Sequence, residues 1–330
     1  MPDKIITILT SWGKFYGNGH IQRMTTLLWY LNQKKGTKAL FVTDSIPESF
    51  PKKLHHCITS KINTNTDIII RDMRDSSLYE IEKLKKISRV MVIDDNGEGH
   101  RVADYKIDLL PNLERILPNN QSSQHNPYDK TELKINNTSR DNQIINKNFF
   151  FFGYNFVKSL LSLKNKTITK KIDFSIYPGS SIRDDYIHSL ISILPEKSSI
   201  VIHSIEGPYL LKKGERYDIN KSYAEIILSS KILISHFGIM LYEGNLAKCR
   251  LIVINPSIYH SRLSEVAKES LDLINLGEYI HLNKKDASIS IEKALREPLC
   301  DVISTREVYN TVTKNLDSFY EYLLDLIIEQ

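Results

Sequence analysis

The chain has 330 residues, 41% of them hydrophobic, with 44 Lys and Arg against 39 Asp and Glu and a formal net charge of +5. That length carries two domains with their own cores, and that composition excludes a chain disordered throughout. The charges are scattered and no basic stripe is interleaved with aromatics, so nucleic acid is not an expected partner. Three widely spaced cysteines, Cys57, Cys249 and Cys300, exclude a disulfide framework and a zinc ribbon.

The opening "MPDKIITIL" lacks a basic n-region and a cleavage site. The longest apolar region, 223–243, is broken by Ser229, Ser230, Lys231 and His236. Neither a signal peptide nor a membrane span is expected, and a cytoplasmic protein, monomeric or weakly associated, is the default.

Strand and helix patterns alternate along the first half. Residues 4–10 read as a strand, 20–34 as a helix, 38–42 and 66–72 as strands, 77–87 as a helix and 89–95 as a strand. Short, continuous apolar runs of this kind suit parallel strands covered on both faces. From 118 to 148 the periodicity stops in a polar, Asn-rich stretch, read as a surface insertion. "FFFFGYNF", 149–156, reads as a strand or a buried connector. The second half resumes with strands at 171–181, 199–205, 231–238 and 250–255. Helices are expected at 182–193, 221–230, 239–248, 257–269 and 286–297, with an amphipathic one closing the chain. Its apolar face, Val308, Val312, Leu316, Phe319, Leu323 and Ile327, needs a partner, expected to be the N-terminal domain. The expected architecture is α/β, two Rossmann-like domains facing a cleft, 1–155 and 156–330.

In such sheets ligands bind beyond the carboxyl ends of the strands, so the loops there matter most. "GNGH", with Gly17, Asn18 and Gly19, leads from a strand into a helix that starts at His20. Glycines let a ligand approach the backbone, and a helix start offers N–H groups and a positive dipole end. Arg23 stands where the dinucleotide fingerprint has its third glycine, and it suits a phosphate or carboxylate. A neutral imidazole at this junction can serve as a general base toward water. "RDMRDSS" and "DDNGEGH" put Asp72, Asp75, Asp94 and Asp95 at strand ends, able to cap helices, orient a histidine or bind sugar hydroxyls. Asp75 also suits a helix N-cap. No D-x-D with a third ligand is present, so neither a metal nor another cofactor is expected. "YPGSS" gives a tight turn with Gly179 and two hydroxyls, Ser180 and Ser181. "SHFGIMLYEG" runs from a strand through His236, Phe237 and Gly238 into a helix from Ile239 that carries Glu243. A glycine turn at a helix start cradles phosphate, and a glutamate one turn in accepts hydrogen bonds from ribose hydroxyls.

Taken together, "GNGHIQR", "VIDDNGEGHRVADYKIDLLPN", "FFFGYNFVKSL" with its Tyr154, and "SHFGIMLYEG" resemble a known family in the same order. It is that of the nucleotide-sugar hydrolase of pseudaminic acid biosynthesis (PseG), with the spore-coat polysaccharide proteins of SpsG type and the wider MurG-like superfamily. The resemblance implies a GT-B fold and hydrolysis of a UDP-sugar at its anomeric carbon without a metal. It puts the water-activating histidine on His20 and the UDP contacts on Gly179, Ser180, Gly238 and Glu243. Where the family commonly has G-G-x-D, this chain has Pro178-Gly179-Ser180-Ser181. A glycosyltransferase on the same fold, or a non-catalytic nucleotide-sugar-binding protein, is the alternative.

Overall fold

The run Ile68–Asp72, Ile-Ile-Ile-Arg-Asp, is buried along its whole length, as a strand covered on both faces must be. The computed structural model describes residues 3–11, 18–43, 45–48, 50–111, 149–163, 165–179, 184–204, 207–212 and 215–328. The predicted insertion at 118–148 and the site residues Gly17, Ser180 and Ser181 lie outside the described residues.

The contacts divide the chain into two units that interleave along the sequence: Met1–Thr10, Gly36–Ser45 and His55–Asn148 in one, Ser11–Lys35, Ile46–Leu54 and Phe149–Gln330 in the other. The first unit holds β1 (Lys4–Thr10), β2 (Thr37–Val42), β3 (Ile58–Thr59), β4 (Ile68–Asp72), β5 (Arg89–Ile93) and β6 (Tyr105–Ile107). They form one parallel sheet in the order β3-β2-β1-β4-β5-β6. Helix α2 (Leu78–Lys85) sets Ile81 and Leu84 against Ile69, Val90 and Val92 of that sheet. The order reverses at β1, so the crevice at its carboxyl end opens between β1 and β4.

The second unit repeats the winding with β8 (Ile172–Ile176), β9 (Ile200–Ser204), β12 (Ser230–Ser235), β13 (Arg250–Asn255) and β14 (Leu273–Glu278). With β10 (Gly207–Lys212) and β11 (Glu215–Asp218) its sheet runs β11-β10-β9-β8-β12-β13-β14, and the order reverses at β8. Phe174, Ile176, Ile202, Ile232, Ile234, Ile252 and Ile254 make its core with α4 (Asp184–Ile191) and α8 (Lys284–Arg296). Strands β10 (Gly207–Lys212) and β11 (Glu215–Asp218) add an antiparallel hairpin at the edge. Apolar periodicity could not announce it, because all four β11 residues are exposed and three carry charge. A short antiparallel pair, β7 (Thr167–Thr169) with β15 (Val302–Ser304), and β14 likewise lacked a strong apolar signal.

Helix α1 (Gly19–Leu31) belongs by its contacts to the second unit. It packs on α3 (Tyr154–Ser162) and on α9 (Thr305–Ile328). The connector before α3 explains why. From Phe149 to Gly153 it is neither helix nor strand, and its phenylalanines take different partners in turn. Phe149 and Phe151 meet Phe319 of α9 edge-on at 5.3 and 4.7 Å, while Phe150 stacks on Tyr242 at 4.2 Å. Thr26 of α1 donates to the Phe152 carbonyl at 2.8 Å. The α9 residues Val308, Val312, Leu316, Phe319, Leu323 and Ile327 are all buried. Lys34 pairs with Asp317 of α9 at 2.7 Å, and Tyr30 donates to the same carboxylate. The stretch 149–156 is therefore a connector only as far as Gly153, where α3 begins.

Two further local differences have clear causes. The N-cap of α2 is Ser77, whose hydroxyl accepts from the Glu80 N–H at 3.1 Å, not Asp75, which adopts φ +59°. Strand β5 stops at Ile93 because Asp94 turns to φ +50°, and its Oδ1 accepts from the Leu109 and Leu110 N–H groups at 2.7 and 3.0 Å.

Candidate functional site

At the carboxyl end of the second sheet, the turns after β8 and β12 come into contact. Gly179 has φ +77°, and a Cβ there would stand 2.1 Å from His236 Nε2. Only glycine meets both conditions, since the left-handed region and the ring's position each exclude a side chain. His236 Nδ1–H donates to the Phe237 carbonyl at 2.8 Å, so its Nε2 is the lone-pair nitrogen that faces Gly179. Burial pushes its pKa down, which keeps the ring neutral. Gly238 is the N-cap of α6 (Ile239–Leu246), and no side chain caps this helix start.

Asn255, at the end of β13, holds that turn in place. It is fully buried, and its Oδ1 accepts from the Phe237 N–H at 3.0 Å and from the hydroxyl of Ser264 on α7 (Ile258–Ala267) at 3.3 Å. Sequence reasoning missed this residue; the available signal was an amide ending the apolar run "RLIVIN" beside the expected site. Gly244 was also missed. A Cβ there would lie 2.4 Å from Leu233 and 2.8 Å from Leu251, so glycine lets α6 settle onto the sheet.

Glu243, expected at the ribose, has a partner on each carboxylate oxygen. It is 1% exposed, Oε1 accepts from the Gly153 N–H at 2.8 Å, and Oε2 accepts from the Tyr223 hydroxyl at 2.8 Å. Tyr223 opens α5 (Tyr223–Ser229). Burial pushes the Glu243 carboxyl up to about 7 despite those two donors. Both oxygens are held inside the unit, so the side chain ties α6 to the connector. Gly153 makes the room: a Cβ there would come within 2.9 Å of Oε1. Tyr154 is likewise packed inward, 3% exposed and edge-on to Trp29 at 6.5 Å.

His20 lies in the first turn of α1 and Arg23 in the next, both buried, with Arg23 Nη2 3.2 Å from His20 Nδ1. Asn18 is the exposed N-cap and gives no side-chain cap. A Cβ at Gly19 would meet no described atom within 4 Å. Gln22, between His20 and Arg23 on one side and the connector on the other, accepts from the Asn155 N–H at 3.3 Å. The start of α1, the connector and α6 are thus joined through Gln22, Gly153 and Glu243.

The aspartates of the first unit form a separate cluster. Asp95 is fully buried; Oδ1 accepts from the Ser76 and Gly97 N–H groups at 3.0 and 2.8 Å, and Oδ2 from Arg71 at 3.1 Å. Arg71 also grips Glu80 with two hydrogen bonds of 2.9 and 3.1 Å. A Cβ at Gly97 or Gly99 would fall 2.1 or 2.3 Å from Ser76, so "NGEG" is the sequence that lets the two loops close on each other. Asp95 and Asp94, expected near the chemistry, here bind backbone amides and fix those loops. Asp72 is fully buried at the end of β4, where its carbonyl accepts from the Thr10 hydroxyl at 2.9 Å. Among the described residues, no group of three or more His, Cys, Asp or Glu side chains is gathered to hold a metal ion, and no helix is long and apolar enough to cross a membrane.

No protein-family model matches the chain, and no curated protein sequence matches it significantly. Solved structures do. The spinosyn forosaminyltransferase SpnP is similar over 99% of both chains, with a TM-score of 0.53 at 10% identity. The glycotransferase of kitacinnamycin is similar over 96% of both chains, with a TM-score of 0.50 at 8% identity. At that identity the likeness is one of architecture, and the chain has the GT-B type of fold, built of two Rossmann-like α/β units.

Proposed function

We propose that the chain uses a nucleoside-diphosphate sugar as donor and transfers the sugar to an acceptor hydroxyl. The observation that carries this is the meeting of Gly179 with His236 at the reversal point of the second sheet, beside the uncapped start of α6. Glycine backbone and helix N–H groups there suit a diphosphate. Two proteins of similar fold are named as glycosyltransferases. In the reaction the anomeric C–O bond breaks, its electron pair goes to the diphosphate oxygen, and the acceptor oxygen forms the new bond and releases its proton to solvent. Residues 156–330 hold the nucleotide, through Gly179, Ser180, Ser181 and the turn His236–Ile239; residues 1–155 supply His20.

Water in place of the acceptor gives the hydrolase that the sequence resemblance implies. The buried His20–Arg23 pair, at the place where that resemblance has its motif, favours this second reading. One experiment separates the two. The full chain is incubated with UDP-, dTDP- and GDP-sugars, with and without sugar and aglycone hydroxyl acceptors, and free nucleotide is followed. Release that depends on an acceptor supports transfer; release in water alone supports hydrolysis. Absence of any nucleotide binding by calorimetry overturns both.

A further inference from the structure

Strand β14 loses its register with β13 at the carboxyl end of the second sheet. Val253 pairs with Asn275 and Asn255 with Glu278, so two steps along β13 (253 to 255) match three along β14 (275 to 278). A bulge absorbs the extra residue, and Gly277 takes φ +82° within it. Bulges re-aim side chains, and this one sets the Asn275 amide against that of Asn255, whose Nδ2 donates to Asn275 Oδ1 at 3.1 Å. We infer that Asn275 is a positioning residue that acts through Asn255 on the turn His236–Gly238. That this turn holds a diphosphate rests on the proposed function; the coupling of Asn275 to Phe237 does not.

Donors and acceptors fix the direction of the whole chain. Asn275 Nδ2 donates to the Ser261 carbonyl at 3.0 Å and to the Glu265 carboxylate at 2.6 Å, groups that only accept. Its Oδ1 accepts from the Gly277 N–H at 3.0 Å, which only donates. The Asn275 amide therefore has one orientation, and it presents an acceptor to Asn255. The two ends of the Asn255 amide are nearly equal in size, so hydrogen bonding alone selects its orientation. The Ser264 hydroxyl beside it either donates or accepts and does not choose. Asn275 Oδ1 chooses: it takes Nδ2 and leaves Asn255 Oδ1 for the Phe237 N–H at 3.0 Å. Turned over, Asn255 would set one N–H against another. All donors point the same way, from Phe237 through Asn255 and Asn275 to Glu265, and bonds in such a chain strengthen one another. The Phe237 carbonyl accepts from His236 Nδ1, so this residue of the turn is held on both sides.

Hydrogen exchange at the Phe237 amide of the full chain tests the coupling, with the Leu233 amide of buried β12 as the measure of global opening. The wild-type Phe237 amide should be protected. Asn275→Ala should speed its exchange relative to Leu233 by about three- to tenfold, the size of one neutral hydrogen bond. Added to Asn255→Ala, the same substitution should bring no further increase, because its route is already cut. An unchanged Phe237 rate in Asn275→Ala, or equal factors with and without Asn255, overturns the inference. Asn275→Leu, similar in size and without a polar atom, takes the place of an alanine variant that does not fold, and an unprotected wild-type amide overturns the inference whichever variants fold. UDP affinity by calorimetry is the second readout. Asn275→Ala should weaken it by about three- to tenfold, and by nothing more in the Asn255→Ala background. Unchanged affinity, or a loss that adds in that background, overturns the positioning role. A wild type that binds no UDP sinks the proposed function, and the exchange rates still decide the coupling.

Discussion

The two sheets are wound alike, yet their carboxyl-end loops are put to different use. In the first unit the loops after β4 and β5 are bound to each other through Arg71, Glu80, Asp95 and the amides of Ser76 and Gly97. In the second unit the loops after β8 and β12 meet through Gly179 and a neutral His236, with a helix start beside them. Carboxylates at strand ends therefore have two origins. Where an arginine and backbone amides of the same unit satisfy them, they act as braces. A surface meant for a diphosphate has to offer donors, and backbone glycine with helix N–H groups does so without adding negative charge.

The largest expected effect comes from breaking the brace. Asp95→Ala removes the acceptor of two buried N–H groups and leaves Arg71 without one of its carboxylates. Loss of one partner from a buried ion pair costs about 3–5 kcal/mol. Urea denaturation should show a loss of that size, and nucleotide affinity of the variant that remains folded should match the wild type. Unchanged stability with lost turnover would return Asp95 to the reacting groups.

A smaller effect is expected on the other side of the comparison. Gly179→Ala puts a side chain at φ +77° and drives its Cβ to within 2.1 Å of His236 Nε2. Left-handed strain of roughly 1–2 kcal/mol plus overpacking of about 1–3 kcal/mol gives a destabilisation of about 2–5 kcal/mol. UDP affinity, read by calorimetry, should fall along with it. His236→Ala in the same background relieves the clash and leaves only the backbone strain, so the double variant should be more stable than Gly179→Ala alone. A Gly179→Ala protein that binds UDP like the wild type removes this turn from the nucleotide site.

These two regions also mark what the sequence could disclose. Strands β1, β4, β8 and β12 were legible because a strand buried on both faces must be a continuous apolar run. The closing helix was legible because its one apolar stripe recurs at helical spacing. The loops with glycine and charge were legible as places. Their chemistry was not, since a partner distant in sequence decides it: Arg71 and Ser76 for Asp95, Gly153 and Tyr223 for Glu243. Asn255 escaped notice for the same reason, its use being set by the fold of another turn. The exposed hairpin β10–β11 was silent because main-chain pairing holds it and no buried stripe does.

The comparison can be sharpened by pH, through two buried carboxylates with unlike partners. Asp95 has the Arg71 cation at 3.1 Å, whereas Glu243 has an amide and a phenol. Dipoles alone do not repay the desolvation of the Glu243 charge, so its folded-state pKa rises to about 7 from an ordinary 4.5. Between those values the folded chain holds a proton that the unfolded chain has lost, so stability falls as pH rises through 7. Buried His203, whose folded pKa burial pushes down to about 4 from 6.5, works in the opposite sense and loses stability as pH falls below 6.5. Glu243→Gln keeps an acceptor for Gly153 and cannot ionise, while His203 is common to both proteins and cancels in the difference. The stability of Glu243→Gln relative to wild type should therefore rise by about 2 kcal/mol between pH 5 and 8, measured by urea denaturation at each pH. A difference that stays flat across this range means that the Glu243 charge is stabilised in the folded chain by more than Gly153 and Tyr223. The side chain would then regain its claim to a ligand hydroxyl, and the contrast with Asp95 would collapse.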